Sequence, residues 1–122
     1  MTIADWVAER GTGAPAQLRA GVRMALGSDG SRPVTEAAEA LLGAAERDLA
    51  RWLTNDSASR AGAVPLLTID ALVTLALEAA AEHRVDVDAV ADAAILRLSA
   101  LAESEGSRSA DSRFPTPDVR IE

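Results

Sequence analysis

The stretch Pro65-Leu66-Leu67-Thr68-Ile69-Asp70-Ala71-Leu72-Val73-Thr74-Leu75-Ala76-Leu77-Glu78-Ala79-Ala80-Ala81-Glu82 decides the fold. At about 100° per residue, Asp70, Thr74 and Glu78 form one narrow polar stripe with Glu82 at its edge. Leu66, Ile69, Leu72, Val73, Leu75, Ala76, Leu77, Ala79 and Ala80 cover the rest of the circumference. A helix apolar on most of its surface is a central one, or one shared between subunits. Pro65 either starts this helix or kinks a longer one beginning near Ser57.

Working outward, the chain on either side is also helical in pattern. Before it, Val34, Ala38, Leu41, Leu42, Ala45, Leu49, Trp52 and Leu53 recur at three- and four-residue steps, with Thr35 as the expected N-cap. Glu36 and Glu39 near the start and Arg47 and Arg51 near the end suit the helix dipole. Asn55 to Ser59 is expected to be a loop. After the central stretch, the short turn Arg84 to Asp86 leads to a fifth helix, making a hairpin. That helix carries Val87, Val90, Ala91, Ala94, Leu98 and Leu101 on its main stripe. Leu96 lies opposite, among Ala89, Ala93 and Ala100.

The N-terminal part predicts two short helices. Thr2 caps the first, with Asp5 completing a capping box, and Ile3, Trp6 and Val7 share its apolar face. Gly11, Gly13 and Pro15 end it, and Pro15 suits the first turn of the next. Leu18, Val22, Ala25 and Leu26 face inward there, beside Arg19 and Arg23. Gly27 to Pro33 is expected to be a loop. The expected architecture is therefore an all-α fold, a small helical bundle of about five helices over residues 1–103. A non-helical tail, 104–122, follows it. Helices three to five form the core and the first two pack across it.

Length and composition set the outer bounds. One domain is all that 122 residues allow. With 48% hydrophobic and 25% charged residues the balance is globular. No apolar run reaches the roughly 18 residues a membrane span needs, and the N-terminus is not expected to carry a signal sequence. The expectation is a cytoplasmic protein without a membrane partner. Nineteen acidic residues against twelve basic ones, all Arg, give a net charge of −7. An acidic surface repels phosphate backbones, so no nucleic-acid partner is expected. With three aromatic residues, Trp6, Trp52 and Phe114, the core must be built from Leu, Val, Ile and Ala.

Catalytic chemistry finds little material. There is no cysteine and one histidine, His83, so thiolate and two-histidine metal sites are impossible. His83 sits at a helix end, where a solvent-exposed imidazole is favoured by the dipole. The carboxylates Asp70, Glu78 and Glu82 line one edge of the central helix, which reads first as its solvent edge and only secondarily as a divalent-ion site. Gly11-Thr12-Gly13 lacks the third glycine of a dinucleotide loop, and Gly27 to Arg32 lacks the Lys of a phosphate loop. No catalytic residue, no metal and no cofactor is expected.

What remains is surplus apolar surface. Leu66, Ile69, Leu72, Val73, Leu75, Leu77 and Leu96 are the expected self-association interface, making the protein a non-catalytic interaction or assembly protein and a homodimer or higher oligomer. In the tail, Phe114, Val119 and Ile121 are the expected docking residues, on this bundle, on a neighbouring copy or on another protein. Val119 and Ile121 point the same way in an extended strand, approached through Pro115 and Pro117.

Two fragment resemblances supply alternatives. Leu18-Arg19 through Gly30-Ser31-Arg32-Pro33, followed by Ile69-Asp70-Ala71-Leu72-Val73-Thr74-Leu75-Ala76-Leu77-Glu78, resembles parts of the all-trans polyprenyl diphosphate synthases, in the same order. Their aspartate-rich metal motif is missing between the fragments and the chain is far shorter than that fold. The resemblance therefore implies a degenerate subunit that holds a lipid chain, without catalysis. Leu67-Thr68 through Glu82-His83 resembles the first helix of tetracycline-repressor-type regulators, with Arg84 at that family's turn glycine and no recognisable reading helix after it. That resemblance implies a small transcription regulator. The chain is assigned to neither family.

Overall fold

A computed structural model describes the backbone of residues 1–54 and 64–113, and the side chains of 1–54 and 64–104. Five α-helices make up an all-α bundle: α1 Ile3–Arg10, α2 Ala16–Leu26, α3 Ala37–Thr54, α4 Val64–Glu82 and α5 Val87–Arg113. Among the described residues there is no β-strand, only an isolated bridge between Thr2 and Pro33. The expected loop 55–59, the start near Ser57 and the docking residues Phe114, Val119 and Ile121 lie outside the described residues.

The α1 start follows its sequence signal. The Asp5 backbone N–H donates to Thr2 Oγ1 at 3.2 Å, and the Thr2 N–H donates to the Asp5 carboxylate at 3.4 Å, closing the capping box. Ile3 and Trp6 then enter the core. Two backbone bonds tie this end to the chain ahead of α3: Ile3 N–H to Arg32 O at 3.0 Å and Val34 N–H to Met1 O at 3.1 Å. Gly27 ends α2 at φ +53°, where a side chain would be strained.

The segment after it is not a plain loop. Gly27–Ser31 and Val34–Glu36 form two short 3-10 turns. The Arg32 guanidinium bonds Glu36 at 2.8 Å and Asp29 at 3.3 Å, and the Glu36 bond is the main reason its pKa lies above the ordinary arginine value. Thr35 sits inside the second turn, so it is not the N-cap of α3.

The sequence singled out α4 as the central helix, yet α3 is enclosed at least as deeply. Ala37, Ala40 and Ala44 are buried in addition to the expected Ala38, Leu41, Leu42 and Ala45. These positions span roughly 200° of the helix surface at about 100° per residue. Alanine at five of the seven lets α2, α4 and α5 all approach α3. The α4 helix turns Thr68, Ile69, Leu72, Ala76, Ala79 and Ala80 inward. It approaches α2 closely at Gly21, where a Cβ would lie 2.6 Å from Thr68 Oγ1.

Two findings correct the expectations about length. The α4 helix does reach span length: it has 19 residues, and an 18-residue window of it averages a hydropathy of 1.7. Thr68, Asp70, Thr74 and Glu78 interrupt the apolar run in sequence but do not lower the mean enough. In the bundle this helix packs on α2, α3 and α5. Second, α5 continues helical through Ser104 to Arg113, where a non-helical segment was expected. Residues 104–113 contain no proline and a single glycine. Polar composition suggested a tail, but polarity does not stop a helix.

Candidate functional site

Three places on the bundle gather the candidate functional residues. The first is a polar knot joining α1 to the end of α4. Trp6 buries its ring and donates from Nε1 to Glu82 Oε1 at 2.9 Å. The Arg10 guanidinium lies 4.8 Å from the Trp6 ring centroid and pairs with Glu78, at 3.3 Å, and with Glu82. Glu78 and Glu82, expected as a free solvent edge, are thus the acceptors of a clamp. Asp70 stands apart, exposed, and is not part of it. Among the described residues no group of three His, Asp or Glu side chains is placed to hold a metal ion. His83 is half-buried rather than exposed as expected. Its ring lies 6.4 Å from that of Trp6, and its Nε2 is buried without a hydrogen-bond partner among the described residues.

The second place is the outer surface of α4 and α5. Here the expected interface residues separate into groups. Ile69 and Leu72 lie in the bundle's own core, because their side of α4 faces α3. They are therefore not on a surface that a second copy can touch. Val73, Leu75 and Leu77 are half-buried, with Val73 and Leu75 packed against the core. Leu66 is 44% exposed and Leu96 73% exposed. Two further residues join them that the sequence reading did not place there: Leu67 at 53% and Ile95 at 66%. Leu66, Val73 and Leu77 are spaced by seven and four residues and stack in one row along α4. On α5, Arg97 reaches Glu39 and Glu46 of α3, which fixes its side as the α3 side. Ile95 lies about 160° around the helix from Arg97, on the side away from that contact.

The third place is a cleft of about 390 Å³ between α1, α2 and α4. Val7, Leu18, Val22, Leu26 and Leu75 give it apolar walls, and Ala4, Ala8, Gly11 and Ala71 leave it open. Arg10, Arg19, Arg23 and Asp70 are its charged lining residues. Sequence reasoning placed Arg19 and Arg23 beside the apolar face of α2 but did not find the cleft. Which small residues of α1 and α4 meet across a gap is decided by helix packing, not by the pattern of one helix.

Comparison with protein-family models, with curated proteins and with solved structures finds no match, so neither fragment resemblance extends to a family assignment.

Proposed function

We propose that the protein is a non-catalytic helical assembly protein that self-associates through the apolar outer surface of α4 and α5. The observation that carries the reading is the exposure of Leu66 and Leu67 on α4 and of Ile95 and Leu96 on the adjoining α5, with the half-buried Val73 and Leu77 in the same row as Leu66. Monomers rarely leave large contiguous apolar surface to water. Burying about 400 Å² of it in total gives ~10 kcal/mol gross at ~25 cal/mol per Å². The cost of association is ~4–15 kcal/mol. The two are comparable, so the assembly is reversible and concentration-dependent rather than permanent.

The non-catalytic part of the reading is supported by His83. Its Nε2 is enclosed without a hydrogen-bond partner among the described residues, and its ring rests near Trp6, whereas a catalytic base must hold its nucleophile in a hydrogen bond. The net charge of −7 favours a protein partner over a nucleic acid. The test is the pair Leu66→Glu and Ile95→Glu, both at exposed positions outside the core. Circular dichroism should remain helical while light scattering falls to the mass of one chain. If the assembly mass is unchanged in the double variant, this surface is not the interface.

A further inference from the structure

We infer that the α1–α2–α4 cleft is a binding site for a small amphipathic molecule with an apolar body and one anionic head, of the class of medium-chain carboxylates. The volume, about 390 Å³, lies within the roughly 300–1,000 Å³ of small-molecule sites. Its walls, Val7, Leu18, Val22 and Leu75 among them, suit an alkyl chain and offer few hydrogen-bonding groups. The choice of head follows from charge. Arg10 is already neutralised by Glu78 and Glu82. The guanidinium groups of Arg19 and Arg23, one turn apart on α2, make no ion pair or hydrogen bond among the described residues. Like charges at this spacing repel each other, and an anion between them relieves the repulsion. Asp70, the remaining charged group of the lining, is a single negative charge against these two. The lining itself therefore carries more positive than negative charge, with Glu78 and Glu82 outside it on Arg10, and the end of the cleft beside Arg19 and Arg23 selects an anionic head over a cationic one.

This site is separate from the α4–α5 surface and does not depend on the assembly reading. The experiment titrates the full chain with dodecanoate, below the concentration at which dodecanoate itself aggregates, and follows backbone amide resonances. Saturable binding is expected, with shifts centred on Val7, Leu18, Ala71 and Leu75. The double variant Arg19→Gln, Arg23→Gln changes exposed residues only, so it stays folded. It should bind dodecanoate about tenfold more weakly through loss of its charged contacts. Dodecyltrimethylammonium, with the same tail and opposite charge, should not saturate the site. The inference is overturned if dodecanoate shows no saturable binding, if the shifts map to Leu66 and Ile95 instead, or if the double variant binds as tightly. Equal binding of the cationic amphiphile overturns it as well.

Discussion

Arg84 is the residue at which local geometry and residue type disagree most plainly. Its φ is +60°, and the Val85 N–H reaches back to Ala80 O at 2.8 Å, closing the end of α4 in a Schellman arrangement. Glycine is the residue that this position favours, and an L side chain there carries a steric cost. Arg84→Gly is therefore expected to stabilise the bundle by about 0.5–1 kcal/mol, net of the greater freedom that glycine gives the unfolded chain. Denaturant unfolding measures this, and an unchanged or lower midpoint contradicts it. The sequence placed a turn at 84–86, which is correct, but could not assign a left-handed backbone to an arginine. The Thr2–Asp5 capping box was legible because both partners lie three residues apart on one element. The pairing of Trp6 with Glu82, across 76 positions, was not.

At the scale of elements, what fastens α1 to the bundle is burial more than charge. Ile3 and Trp6 are almost completely enclosed, whereas the Arg10, Glu78 and Glu82 side chains are about two-fifths exposed. Exposed ion pairs contribute ~0–1 kcal/mol and are screened by salt. Truncating a buried aromatic costs ~3–5 kcal/mol. Trp6→Ala should therefore lower stability several-fold more than Arg10→Gln, and thermal melts at high salt should shift little. A melt in which Arg10→Gln is as damaging as Trp6→Ala contradicts this account. The same contrast explains what sequence periodicity reached. It located all five helices, because each carries an inward stripe at helical spacing. It ranked α4 above α3 in enclosure because it counts large apolar residues. Ala37, Ala40 and Ala44 enclose α3 by being small, and their value depends on which helix arrives against them. The end of α5 escaped for a related reason: residues 104–113 have helix-compatible backbones without an apolar stripe to announce them.

At the scale of the whole molecule, the question is where the apolar surface outside the core goes. Of the seven residues expected at an interface, Ile69 and Leu72 belong to the bundle's own core, and Leu75 is half-buried at the cleft. Helix α4 looked apolar all round because three neighbours claim different arcs of it. Leu66 and Leu96 remain outside, joined by Leu67 and Ile95. Their exposure is a tertiary property, since the pattern of α5 alone does not say which flank α3 covers. The measurement that tests the central claim most directly is the solution mass of the unmodified chain across a dilution series, by sedimentation equilibrium. The account predicts an average mass rising with concentration above 12.6 kDa toward twice that value or more. A single species of 12.6 kDa at every concentration up to the millimolar range would contradict it.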